Sequence, residues 1–127
     1  MVLDQSGNPA VVLIVEHEMM LRMRAVDMVE DAGYTPLEAM DADEAVAILE
    51  SRSDIALICT DIQMPGSMDG LGLAQAVHRR WPSIKIIVVS GQSNLLKPDL
   101  PPCSRFFGKP LNAGEVIAEM RGMIGHA

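Results

Sequence analysis

Apolar residues along this chain fall into short unbroken runs, separated by longer stretches whose apolar positions recur with helical spacing. Val11 to Val15 is apolar at every position, as expected of a central parallel strand covered on both faces. Leu21, Ala25, Met28, Val29 and Ala32 then recur at helical intervals, and Gly33 supplies the left-handed residue that commonly ends a helix. Tyr34 to Met40 predicts a second strand, and Asp41 with Glu44 predicts a capped helix carrying Ala45, Ile48 and Leu49. Ile55 to Thr60 predicts a third strand running into Asp61 and a loop with Pro65 and Gly66, followed by a helix over about 70–80 that Trp81-Pro82 closes. Ile84 to Val89 predicts a fourth buried strand ending in Ser90 and Gly91, and Arg105 to Gly108 a short fifth. Asn112 and Glu115 offer a cap for a last helix burying Val116, Ile117, Met120 and Ile124. Between the fourth and fifth strands, Pro98, Pro101 and Pro102 leave room for at most a turn or so of helix near Gln92 to Leu96.

Strands alternating with helices are the mark of βαβ units, so the chain predicts an α/β fold: a doubly wound, five-stranded parallel sheet with helices on both faces, the fourth of about five helices being short or irregular. Its 127 residues suit one domain, with residues 1–9 read as a flexible leader and 10–127 as the folded unit. No apolar stretch approaches the roughly 20 residues of a membrane span, and Ala10 to Val15 lacks the basic flank of a secretory signal. A cytoplasmic protein without membrane attachment is the expectation.

Ten basic against seventeen acidic side chains give a formal charge of −7, which opposes the phosphate attraction behind most nucleic-acid affinity. Direct nucleic-acid binding is not expected. Cys59 and Cys103 are read as structural thiols. Four methionines, Met19, Met20, Met23 and Met28, fall in one helical segment, where gap-filling in the core is the common use.

Ligands of doubly wound sheets bind beyond the carboxyl ends of the strands, where the loops diverge. At those ends stand Glu16, His17 and Glu18 after the first strand, Asp61 after the third, Ser90 after the fourth, and Gly108, Lys109 and Pro110 after the fifth. Carboxylates there can hold a hard cation, one carboxylate can attack phosphorus, and a lysine and a hydroxyl can hold the transferred oxygens. Each residue alone is weak evidence, since an aspartate after a strand is more often a turn former or helix cap.

Four stretches, VLIVEHE, ICTDIQMPGSMDG, VVSG and FFGKP, resemble the signature motifs of the receiver domain of two-component response regulators, over about Ala10 to Ile124. The resemblance implies a flavodoxin-like sheet of strand order 2-1-3-4-5. It makes Asp61 the phosphoacceptor, Lys109 the phosphate-contacting lysine, Ser90 the switch hydroxyl and Phe106 the aromatic switch residue. Glu16, Asp61 and the backbone carbonyl of Gln63 become the ligands of a magnesium ion. The implied partners are a sensor histidine kinase or a histidine phosphotransfer protein, with a small acyl phosphate as another donor, and a downstream protein target. A domain of this kind is not an enzyme beyond its own phosphoryl transfer and dephosphorylation, and with no chain left for an output domain it is expected to act by contact with that target.

His17 departs from the pattern, standing where such domains usually carry a second acidic metal ligand. Imidazole suits magnesium poorly and manganese or zinc better, so metal binding is weakened, altered or simply tolerated. Glu18 is a substitute oxygen donor or a solvated first-turn residue. A protonated His17 between Glu16 and Asp61 is a further reading. The competing function is a pseudo-receiver, a scaffold that binds a partner without being phosphorylated. A phosphatase or nucleotide-binding enzyme would want an acid at Gln63 or a glycine-rich loop, and Gly70 and Gly72 more simply shape a helix start. Homodimerisation stays open, because the irregular segment after Ser90 lies where many receivers dimerise.

Overall fold

In the computed structural model, residues 9–64, 66, 68–91, 100–102 and 104–124 are described. They form β1 (Val11–Val15), α1 (Met19–Asp31), β2 (Thr35–Ala39), α2 (Ala42–Ser51), β3 (Ile55–Asp61), α3 (Gly70–Arg80), β4 (Lys85–Ser90), β5 (Arg105–Gly108) and α4 (Ala113–Ile124). The strands make one sheet in the order β2-β1-β3-β4-β5, and every neighbouring pair is parallel. The short helix expected near Gln92 to Leu96, the leader before Pro9, Pro65, Ser67 and Cys103 lie outside the described residues.

Each connection carries its own stop and start. Gly33, at φ 93°, takes the positive-φ position after α1 that a side chain would resist. Asp41 accepts the N–H of Glu44 at 2.9 Å, Asp69 that of Gly72 at 2.8 Å and Asn112 that of Glu115 at 3.1 Å, so α2, α3 and α4 open on side-chain caps. Glu44 reaches back to the N–H of Met40 at 3.1 Å, one residue before the cap itself.

The period-two alternation of the strands divides the core between two faces. Val11, Leu13 and Val15 of β1 pack with Ile58 and Val88 beneath α2 and α3, where Ala45, Leu49, Leu73 and Val77 are buried. Val12 and Ile14 pack with Cys59, Ile87 and Val89 beneath α1 and α4, against Met28, Val29, Val116 and Met120. Burial on both faces is why β1 is apolar throughout. A register shift between β1 and β3 after Val11 puts Ile55 on one face and Leu57 on the other.

Two expectations change. The third strand runs one residue further than expected, taking in Asp61, which pairs with Val89 in the ladder. The methionines of α1 are mostly outside: Met19, Met20 and Met23 are 60%, 56% and 53% exposed, and only Met28 is buried. At about 100° per residue, Met19 and Met23 point away from the Leu21–Ala25–Met28–Ala32 face, so gap-filling in the core applies to Met28 alone. Among the described residues no helix is long and apolar enough to cross a membrane.

Candidate functional site

Three strand ends meet at the carboxyl edge of the sheet. Glu16 follows β1, its N–H bonded to the carbonyl of Ala39 at 3.0 Å, and its side chain is buried. Asp61 ends β3 and is likewise buried, with Ile62 bonded to the carbonyl of Val89 at 2.9 Å. Lys109 follows β5, its N–H bonded to the carbonyl of Ser90 at 2.9 Å, and the Lys109–Pro110 peptide is cis. From there the ammonium reaches Glu16 Oε1 at 2.7 Å and Asp61 Oδ2 at 3.0 Å, closing contacts across 93 and 48 residues of chain.

Electrostatics follow from that burial. Desolvation raises the pKa of Asp61, with the Glu16 charge adding to it; the Lys109 hydrogen bond and charge and the Gln63 N–H, 3.4 Å from Asp61 Oδ1, oppose it. Burial pulls the Lys109 ammonium down, but hydrogen bonds to Glu16 and Asp61 outweigh it and leave its pKa raised. Lys109 is thus held charged, cancelling one of the two carboxylates. Cys59, two residues before Asp61 on β3, is pushed up to about 12 by burial and by the Glu16 and Asp61 charges.

The main chain under the pair is tightly held. Arg22 Nη1 donates to the carbonyls of Glu16 at 3.0 Å and His17 at 3.4 Å, while its Nε meets Glu38 at 3.2 Å. The Thr60 hydroxyl, fully buried, donates to the carbonyl of Asp61 at 3.0 Å. Gly70 packs so closely on that strand end that a Cβ there would lie 1.7 Å from the Asp61 carbonyl oxygen. Its N–H bonds to the carbonyl of Ile62 at 2.9 Å. Gly70 was read from the sequence only as shaping a helix start; the strand it presses on is invisible to a one-dimensional reading.

The remaining candidates fall into place unevenly. Ser90 is buried at the end of β4, one residue beyond the partner of Asp61. Phe106, opposite Val88 in β5, is half-buried against the α2–α3 side of the core, whereas Phe107 faces the α1–α4 side. Gln63 is exposed two residues past Asp61. His17 is exposed, and among the described residues no three His, Cys, Asp or Glu side chains converge as metal ligands, so it does not join Glu16 and Asp61. Glu18 serves as the N-cap of α1, accepting the N–H groups of Leu21 at 2.8 Å and Met20 at 3.2 Å, and those bonds lower its pKa. That occupies the carboxylate otherwise available as a substitute ligand.

A doubly wound parallel sheet of this strand order, with a lysine-bridged carboxylate pair at its carboxyl edge, defines a flavodoxin-like fold with a polar site where such sheets bind ligands. Residues 12–100 match the response regulator receiver domain family. Over 125 residues the chain is 33% identical to the sensor kinase CckA of Brucella abortus, covering 95% of this chain and 13% of that protein. It is 32% identical to the nitrogen assimilation regulatory protein NtrX of Azorhizobium caulinodans over 84% of this chain and 24% of that one. Among solved structures, a response regulator receiver protein from Sinorhizobium medicae superposes with a TM-score of 0.85 at 22% identity, over 91% of this chain and 94% of that one. The signal receiver domain of an HD domain-containing protein from Pseudomonas fluorescens gives 0.84 at 25%, over 92% and 95%. The chain belongs to the response regulator receiver domain family of two-component systems. It spans less than a quarter of the two curated relatives named here.

Proposed function

We propose that this domain accepts a phosphoryl group on Asp61 and passes the event on as a change of shape. The observation that carries the reading is the Lys109 ammonium shared between Asp61 and Glu16. An Asp61 carboxylate oxygen attacks phosphorus in line, the donor's leaving atom (the imidazole nitrogen of a phosphohistidine or the carboxylate oxygen of an acyl phosphate) departs on the opposite side, and Lys109 offsets charge on the equatorial oxygens. The new phosphoryl oxygens then accept a hydrogen bond from Ser90, and Phe106 turns further inward to reshape the surface beside β5.

The donor set fits a magnesium ion in kind: magnesium takes one or two carboxylates and fills its shell with water and phosphate oxygens, and Glu16 and Asp61 are two buried carboxylates at the ends of adjoining strands. Glu16, Asp61 and the carbonyl of Gln63 would hold it, and a bound cation supplies further charge neutralisation to the transferring phosphoryl group. Phosphoryl donors by this reading are a sensor histidine kinase, a histidine phosphotransfer protein or a small acyl phosphate; the target is another protein or another part of a longer chain.

One observation favours the second reading, a pseudo-receiver: His17 stands exposed where a second acid is usual, and no third ligand side chain joins the pair among the described residues. Intact-mass measurement after acetyl phosphate and magnesium decides between them. A gain of one phosphoryl group in wild type and none in Asp61→Asn is expected. No gain at any magnesium or manganese concentration, with labelling restored by His17→Asp, would establish the pseudo-receiver.

A further inference from the structure

Beside the carboxylate pair, the sheet, α1 and the turn into α4 border a partly open pocket of about 270 Å³. Ile14, Ala25, Met28, Cys59, Val89 and Leu111 give it an apolar wall, with Glu16, Asp61 and Lys109 at one end and the exposed Arg24 at its rim. An apolar wall offers water few partners, so a pocket of this size is suited to an apolar occupant.

The two cations at the cavity differ in what they have left to give. Lys109 is already shared between two carboxylates. Arg24 enters none of the hydrogen bonds or ion pairs among the described residues, and Glu18, the carboxylate whose charge it interacts with, is committed to capping α1. A guanidinium is a planar fork of donors matched to a carboxylate.

We propose that this cavity binds a medium-chain organic monocarboxylate, with its head on Arg24 and its tail against Ala25, Met28 and Val89, and that the bound ligand obstructs Asp61. A cavity of roughly 150 Å³ accepts benzene, so one of 270 Å³ has room for a body of about eight carbons. The binding stands apart from the phosphoacceptor reading; the obstruction rests on it, because Asp61 and Lys109 line the same space.

Sodium octanoate titrated into the ¹⁵N-labelled full chain tests the site, with octan-1-ol and octylammonium as probes of the head group. Octanoate is expected to give saturable shifts at the amides of Ala25, Val89 and Ala113, with a dissociation constant on the order of 1 mM, as suits a ligand of this size. Arg24→Gln should weaken it about five- to tenfold, and Ala25→Phe, which fills the cavity, should abolish it. If Ala25→Phe does not fold, the exposed Arg24→Gln carries the comparison. Absent saturation, equal binding of octylammonium, or shifts confined to Met19–Met23 would overturn the site. At saturating octanoate, acetyl-phosphate labelling should slow at least threefold in wild type and not in Ala25→Phe; an unchanged wild-type rate overturns the obstruction. Absence of labelling without octanoate would instead sink the phosphoacceptor reading and leave the binding result standing.

Discussion

Replacing Gly70 by alanine puts one methyl group where the main chain of Asp61 already is. The added Cβ would lie 1.7 Å from the Asp61 carbonyl oxygen, 2.6 Å from its carbonyl carbon and 2.8 Å from Ile62 Cα, all backbone atoms that cannot swing aside. Relief requires the start of α3 and the end of β3 to separate by more than about 1 Å, which breaks or stretches the Gly70 N–H bond to the Ile62 carbonyl. Overpacking of this kind costs about 1–3 kcal/mol, and the lost hydrogen bond about 1 kcal/mol more. Alanine's better helix propensity returns less than about 1 kcal/mol at a helix start. The net expectation is a loss of about 2–3 kcal/mol, read as a lower urea midpoint at constant slope by Trp81 fluorescence. Gly72→Ala is the control, since its nearest neighbour is the flexible Met68 side chain at 2.9 Å; its change should stay within about 1 kcal/mol. Because the moved atoms belong to Asp61, the proposed acceptor, Gly70→Ala should also slow acetyl-phosphate labelling of whatever protein remains folded. Stability and labelling both unchanged in Gly70→Ala would refute the close approach and with it the idea that α3 braces Asp61.

Lys109→Met removes the cation common to two buried carboxylates. Losing one partner of a fully buried pair costs roughly 3–5 kcal/mol, and with Lys109 22% exposed about 2 kcal/mol is expected in urea unfolding, with labelling slowed about 100-fold; a variant as stable and as readily labelled as wild type would contradict the bridge. Tyr34, the one tyrosine of the chain, has a buried hydroxyl, and burial raises its pKa above 10.0 against the opposing influence of the neighbouring Arg121. An acid whose folded pKa is raised favours folding fully below its unfolded pKa and loses that contribution as pH climbs through the folded value. The 295 nm titration should therefore lie above that of the urea-unfolded chain, and Tyr34→Phe should lessen the alkaline loss of stability; coincident titrations would rule this out. In a Cys103→Ala background, the Cys59 thiol, pushed up to about 12, should resist iodoacetamide at pH 8 until urea unfolds the chain. Rapid alkylation of the folded protein would mean that Cys59 is not enclosed.

The sheet was legible because a parallel strand covered on both faces leaves a continuous apolar run, and Val11 to Val15, Ile55 to Thr60 and Ile84 to Val89 are such runs. Helix starts were legible at Asp41 and Asn112, where a short polar side chain precedes the helix and accepts the N–H three residues on. The α1 cap was harder, because Glu18 does the same work with a longer side chain that reads equally well as a solvated acid or a spare ligand. The exposure of Met19 and Met23 was available from phase and lost to composition: residue type suggested core, while position on the helix pointed outward.

The site divides along the same line. Glu16, Asp61, Ser90 and Lys109 announce themselves because polar residues directly after apolar strands are unusual enough to be read together. What joins them is not local. Lys109 reaches Glu16 across 93 residues, and Gly70 abuts the Asp61 carbonyl through a turn that no periodicity describes. The bridge also carries a mechanistic consequence. With its ammonium already within hydrogen-bonding distance of both carboxylates, the resting pair is satisfied, so an incoming phosphoryl group must draw Lys109 off Glu16 or share it. Phosphorylation on this reading exchanges one lysine contact for another instead of creating charge compensation anew. On the same reading that exchange acts on Lys109, one residue past the end of β5 and three residues from Phe106, which is how the proposed event at Asp61 would be felt along β5.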